Sequence, residues 1–293
     1  MSLFVGTNRI IVAFASFFIP KFVTFVPKTG FSSLRQTANH FVCYEENASP
    51  NFAAKSTKRE MKNMICTFGD SIMKGVVSSQ KDASGKPLYQ VSEQSFVNRC
   101  GQRLGINIRN FACYGSTTTQ GMKYINRHEK EVKEADYILF EYGGNDCDYD
   151  WKSVAATPHE MHLPKNPLDV FVSQYQDLIK KIRNLKGNPV IMSLPLIDPD
   201  RFFDHLSAGL NRDNILSWLG GRTMHLYQWH EMYNVELFKM ARRLRVPIID
   251  VTSPFLELRN YSDYLCDDGI HPNEKGHALI AETIENNFGA IFV

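Results

Sequence analysis

An α/β fold, a three-layer α/β/α sandwich around a five-stranded and mainly parallel sheet, is what this sequence predicts. Two observations carry that reading. From Met64 onward five short apolar runs alternate with segments whose apolar residues recur at helical spacing. Strands separated by helices need crossover connections, which make neighbouring strands parallel and place helices on both faces of the sheet. A third observation locates the chemistry. In such a sheet the ligand crevice lies beyond the carboxyl ends of the strands, and the polar motifs of this chain fall there.

Met64–Phe68 reads as the first buried strand. Ser95 is placed to cap a helix whose apolar face uses Phe96, Val97, Cys100 and Leu104. Ile106–Ala112 is a second strand and Tyr137–Tyr142 a third, apolar nearly throughout as central parallel strands tend to be. Leu168–Leu185 is a helix with Phe171, Val172, Tyr175, Leu178, Ile179 and Ile182 on one side, stopped by Gly187-Asn188-Pro189. Val190–Leu194 follows as the fourth strand, Trp229–Leu244 as an amphipathic helix, Val246–Val251 as the fifth strand and Asn273–Asn286 as a closing helix.

The first sixty residues stand apart. An apolar run from Ile10 to Ile19 is broken by Pro20 and Lys21 before Phe22–Val26, too short for a membrane span of about 20 residues. Arg9, Lys21, Lys28 and Arg35 are spread along it and no acid precedes Glu45. Residues 1–60 are expected to lie outside the fold, as a targeting segment or as sequence ahead of a true start at Met61. The location expected is cytoplasmic, or secreted or organellar if this segment is a leader.

Of 33 basic and 31 acidic residues, seven basic and three acidic ones belong to residues 1–60, leaving 26 and 28 in the rest. That balance gives no footing for nucleic acid or for an anionic membrane surface as partner. Six cysteines include no Cys-x-x-Cys pair, so buried free thiols in a reducing compartment are expected. Neither His159-Glu160 nor His230-Glu231 has a second His four positions after the first, so no metal site is read here.

Four short motifs fall at the predicted strand ends. Gly69-Asp70-Ser71 follows the first strand, Cys113-Tyr114-Gly115-Ser116 the second, Gly143-Gly144-Asn145-Asp146 the third, and Asp268-Gly269-Ile270-His271 comes after the fifth. Any one alone is a weak signal, and a Gly-Asp-Ser triplet is more often a polar turn than an active site. Together they make a coherent chemistry. A serine hydroxyl needs a base to take its proton, which His271 can supply, and Asp268 can fix the imidazole tautomer. Backbone N–H groups of Ser71 and Gly115 and the Asn145 amide can receive an oxyanion.

These residues resemble the GDSL/SGNH hydrolase family, over about residues 62–290. The resemblance implies a flavodoxin-like sandwich for the hydrolase domain at 61–293. It implies Ser71 as nucleophile, Asp268 and His271 as its partners, an oxyanion hole of Ser71, Gly115 and Asn145, and neither cofactor nor metal. The first block reads Gly-Asp-Ser-Ile where the family's name has Leu. Lysophospholipase-L1-like and carbohydrate-esterase-like members are the nearer match. The expected activity is hydrolysis of small or carbohydrate-linked acyl esters. Lysophospholipase, thioesterase or acyltransferase action with the same triad is the alternative, and a non-catalytic carbohydrate-binding module is the rival from another class.

Other polar residues have plainer readings. Asp70 suits a helix cap, Asp146 a loop tie and Glu141 a structural hydrogen bond. Asp267 competes with Asp268 but lacks the matching spacing, and His225, His230 and His277 read as surface or packing residues. Two long connections, Cys147–Asn166 and Pro199–Tyr227, leave the catalytic edge. Tyr149, Trp151 and Trp218 on them are candidate substrate-binding residues. Packing of the two connections on each other, or an oligomer contact, is the competing reading.

Overall fold

Strand β1 (Met64–Gly69) is buried along its whole length, because it is an inner strand of a sheet whose two faces are covered by helices. The computed structural model describes residues 64–82 and 87–292. The apolar runs of residues 1–60, Cys43 and the alternative start at Met61 lie outside the described residues.

After β1 the chain forms α1 (Ser71–Lys74), a hairpin of β2 (Val76–Lys81) and β3 (Pro87–Val91), α2 (Phe96–Leu104) and β4 (Asn107–Asn110). Then come α3 (Thr118–Arg127), α4 (Glu129–Glu134), β5 (Tyr137–Glu141), α5 (Trp151–Ala156), α6 (Leu168–Asn184) and β6 (Pro189–Met192). The last part holds α7 (Pro199–Leu206), α8 (Arg212–Trp218), α9 (Met224–Leu244), β7 (Ile248–Ile249), α10 (Thr252–Leu256) and α11 (Glu274–Ile291). The main sheet has five strands in the order β4-β1-β5-β6-β7, and every neighbouring pair is parallel. The chain therefore moves from β1 outward to β4, then crosses back to β5. That reversal between β1 and β5 is the switch point at which sheets of this order open a crevice.

The three layers follow from the period of two along each strand. Met64, Cys66 and Phe68 of β1, Ile138 and Phe140 of β5 and Ile191 of β6 face one way, onto Phe171, Tyr175 and Leu178 of α6 and Tyr233 and Leu237 of α9. Ile65, Leu139, Val190, Met192 and Ile249 face the other way, onto Phe96, Val97 and Cys100 of α2 and Ile280, Ala281 and Ile284 of α11. Each such fully buried side chain contributes about 1.5–3 kcal/mol.

The predicted helices form with small shifts. The Ser95 hydroxyl caps α2 by accepting from Asn98 N–H. Helix α9 starts five residues before the expected Trp229, and α11 is capped by Asn273. Strands β5 and β6 are each one residue shorter than expected, and β4 and β7 are shorter by three residues or more. In β4 the Asn110 side chain turns back to accept from Ala112 N–H at 3.0 Å. In β7 Pro247 has no N–H to donate, and Asp250 accepts from Thr252 and Ser253 N–H, which bends the chain into α10. The hairpin β2–β3, antiparallel and apart from the main sheet, was not expected. The five cysteines among the described residues are free, and four are buried. Burial pushes the Cys66 and Cys100 thiols up to about 12. No helix among the described residues is long and apolar enough to cross a membrane.

Candidate active site

The turn after β1 is built by Asp70. Its Oδ1 accepts from Ile72 N–H at 2.8 Å, so the chain enters α1 within one residue of leaving the sheet. Ser71 is thereby held at the sheet's carboxyl edge with 9% of its surface exposed. The turn carrying Asp268 and His271 arrives from the far end of the chain. Asp268 Oδ1 accepts from Ile270 N–H at 2.9 Å and His271 N–H at 3.0 Å, and a bridge between Leu265 and Pro272 closes the loop. Gly269 supplies the sharp bend at φ +72°. A Cβ there would lie 2.6 Å from both Asp198 O and Phe202 N, at the start of α7.

These turns bring three side chains into line. His271 Nδ1 lies 2.7 Å from Asp268 Oδ2, and His271 Nε2 lies 2.8 Å from Ser71 Oγ. Burial alone would raise the Asp268 carboxyl. The His271 ring and the two backbone N–H groups outweigh it and hold the carboxyl at about 2, below its ordinary 3.8. An ionised Asp268 only accepts, so Nδ1 carries the ring proton and Nε2 presents its lone pair to the serine hydroxyl. The arrangement can take a proton from Ser71 and return it to a leaving group. Tyr89, on the unexpected hairpin, packs its ring 5.2 Å from the His271 ring.

Asn145 follows β5, on the other side of the switch point. Its Nδ2 donates to Asp70 Oδ2 at 2.7 Å, leaving one further N–H on the same nitrogen. Asn145 and Ser71 line one cavity. Gly115 stands differently. It is exposed, at φ +65°, on the turn that begins beside β1 where Cys113 N–H donates to Gly69 O. Space around its Cβ position is open, so backbone conformation rather than crowding accounts for the glycine. It is not among the described residues lining the cavity.

A cavity of about 120 Å³ opens over Ser71 and His271. Its apolar wall includes Ile72, Ile197, Phe202, Leu226, Trp229 and Ile270. Tyr149 and Trp151 belong to that wall, whereas Trp218 lies one layer out and lines a neighbouring cavity. Trp218 meets Tyr149 edge-on at 4.9 Å. The two long connections both border this cavity and pack on each other. They carry α5, α7 and α8, whose outer residues Val154, Ala155, Phe203 and Ile215 pack together while inner ones line the cavity.

Of the two readings open for His230, surface or packing, the structure has the second, with the ring buried at the cavity. His277 is buried against Phe96, and burial lowers it to about 4. Asp146 is a loop tie, accepting from Thr118 N–H and Oγ1 and from Asn166 Nδ2. Glu141 is wholly buried, and neither carboxyl oxygen receives a donor from the hydrogen-bonding groups around it. Burial pushes it well above the usual carboxylate range, and the neighbouring Asp70 and Asp146 push the same way.

The model of the GDSL-like lipase/acylhydrolase family matches residues 67–279, which span the Gly69-Asp70-Ser71 turn and the Asp268–His271 loop. An uncharacterized protein of Bacillus subtilis, YpmR, is 23% identical over 235 residues, covering 79% of this chain and 83% of that protein. A lipolytic protein of the G-D-S-L family from Veillonella parvula has a similar solved structure, at 17% identity and a TM-score of 0.51, covering 78% of this chain and 99% of that one. So does a catalytic mutant of an acetylxylan esterase from Geobacillus stearothermophilus, at 16% identity and a TM-score of 0.51, covering 78% and 95%. At those identities the structural likeness speaks for the fold. With the parallel sheet and the matched motifs, the family match gives the conclusion: this chain belongs to the GDSL-like lipase/acylhydrolase family and is an ester hydrolase.

Proposed function

We propose that the chain hydrolyses esters of apolar acyl groups longer than acetyl, through an acyl-enzyme on Ser71. The observation that carries this reading is the Ser71–His271–Asp268 alignment, with contacts of 2.8 and 2.7 Å, opening onto an apolar cavity. Ser71 Oγ attacks the ester carbonyl as its proton passes to His271 Nε2. The imidazolium, stabilised by Asp268, protonates the departing alcohol. Water then enters, loses a proton to His271 and releases the acid, restoring Ser71. In both steps the tetrahedral oxyanion is received by Ser71 N–H and the Asn145 amide, which line the cavity, each worth about 2.7–4 kcal/mol of barrier, and Gly115 N–H is assigned to the same hole by the family resemblance alone.

The apolar wall moves the substrate reading away from the small or sugar-linked acyl groups expected from the sequence. A pocket lined by Ile197, Phe202, Leu226 and Ile270 gains by burying methylenes, at about 0.8 kcal/mol each, and an acetyl group leaves most of it unfilled. The aromatic group of Tyr149, Trp151 and Trp218 supports a sugar or aryl alcohol as the other half of the ester.

The test is a series of acetyl, butyryl, octanoyl and lauroyl chromogenic esters run beside acetylated sugars, with Ser71→Ala as the blank. The kcat/KM is expected to rise beyond acetyl, and a fluorophosphonate probe is expected to label Ser71. A maximum at acetyl overturns the acyl-length reading. Undiminished activity in Ser71→Ala overturns the mechanism.

A further inference from the structure

Behind the oxyanion site lies a pair of buried acids that the steps above leave unused. Gly69 of β1 and Glu141 of β5 are register partners, which sets Glu141 beside Asp70, the residue after Gly69, so that each buried carboxyl acts on the other. The two are not equivalent. Asp70 accepts from Ile72 N–H at 2.8 Å and from Asn145 Nδ2 at 2.7 Å. Glu141 is 0% exposed, neither of its oxygens has a hydrogen-bond partner in good geometry, and the Asp70 backbone N–H is the one nearby donor that favours its ionised form, against burial and the Asp70 and Asp146 charges. Two carboxylates in contact repel unless a proton lies between them. The negative charge is stabilised where the donors are, on Asp70, and the proton therefore sits on Glu141.

The other groups facing this pair leave the assignment intact. Asp146 after β5 adds negative charge, while Tyr142 beside it in sequence and Tyr175 of α6 are neutral hydroxyls whose ionisation burial opposes. His271 is the one titratable group facing Asp70 whose charge favours an ionised Asp70. Building on the acylhydrolase reading, we propose that Glu141 is a positioning residue, a neutral carboxylic acid that donates to Asp70 and so fixes the carboxylate aiming the Asn145 amide at the oxyanion.

The chain of contacts is short and directional. The Glu141 O–H donates to Asp70, Asp70 Oδ2 accepts one N–H of Asn145, and the second N–H of that amide is left for the oxyanion. An ionised Glu141 would push against Asp70 and release Asn145 from its orientation. The loss would fall on kcat rather than on substrate binding, because the oxyanion exists only after attack.

The experiment compares Glu141→Gln and Glu141→Leu, each alone and combined with Asn145→Ala, on one chromogenic ester across neutral and alkaline pH. Glu141→Gln supplies a permanent donor and is expected to keep kcat within about threefold while abolishing any alkaline fall in kcat that Glu141 causes. Glu141→Leu is expected to lower kcat about ten- to hundredfold at unchanged KM, and to cost nothing further once Asn145 is Ala. Difference infrared spectra of the wild type at neutral pH should contain a protonated-carboxyl carbonyl band that Glu141→Gln removes. A Glu141→Gln variant as impaired as Glu141→Leu, or a full additional loss on Asn145→Ala, overturns the proposal. So does absence of the infrared band, a readout that needs neither turnover nor the folding of Glu141→Leu. Failure of the acylhydrolase reading looks different: the wild type would be inactive and unlabelled at Ser71 while the band persisted.

Discussion

Asp268 carries its charge where burial works against it, and the energy holding it there reports on the triad. Its carboxyl titrates at about 2 in the fold against an ordinary 3.8. A depressed carboxylate stabilises the fold above the higher value, and that contribution disappears as pH falls from 3.8 toward about 2; here it amounts to about 2 kcal/mol. Asp268→Asn is expected to lower kcat by about 10⁴ and to lose that acid-side slope in urea titrations. His277 works the same way at higher pH. The unfolded chain takes this proton below 6.5 and the folded chain only below about 4, so stability drops by about 3 kcal/mol across that window. His277→Phe, stacked on Phe96, is expected to flatten the slope between neutral pH and pH 4 in equilibrium denaturation. At this scale the sequence was most readable where a residue's role depends on its own short motif. Ser71 and Asp268 each lie within hydrogen-bonding distance of His271. Tyr89, His230 and the state of Glu141 were not readable, because each depends on neighbours delivered by other elements.

Among the elements, the long and strongly patterned ones were legible. The apolar face of α6 read correctly from Phe171 to Ile182 because all its residues answer to one core. Local hydrogen bonding defeated the ends of the strands: Asn110 and Asp250 each turn a side chain onto the backbone two residues ahead, and the ladder stops there. The β2–β3 hairpin was missed because its residues Ser78, Ser79 and Gln80 break apolar alternation, and its partner strand exposes Leu88 and Val91. The helices α5, α7 and α8 were hidden in connections read only as long. One prediction belongs to a turn between elements. Gly269→Ala places a Cβ against Asp198 O and Phe202 N in a left-handed conformation, and is expected to destabilise the fold by roughly 1–3 kcal/mol. It is also expected to lower kcat, since Asp268 and His271 flank the bend; thermal unfolding and kcat on one ester check both. An unchanged melting temperature would show that α7 yields freely.

At the scale of the whole molecule, the site straddles the point where the sheet order reverses, with Ser71 after β1 and Asn145 after β5. All the residues named in the proposed mechanism lie within the described residues, and 67–279 carries the family match. A chain beginning at Met61 is therefore expected to unfold cooperatively and to keep the kcat of the full chain, as paired denaturation and kinetic measurements would register. The parallel sheet and the edge where the polar motifs gather were readable because alternation of strand and helix leaves few arrangements, whereas the strand order was not read. What the pocket admits was not, because it depends on how α5, α7 and α8 settle against each other. That division has a practical side. The turns of Asp70, Asn145 and Asp268 are short and bonded to their own backbones or to one another, whereas the cavity wall hangs on two long excursions from the sheet. Exchange of either excursion for a segment of different shape would retune what is let in and leave the reacting atoms where they are, so selectivity and reactivity in this chain can be inherited, or engineered, separately.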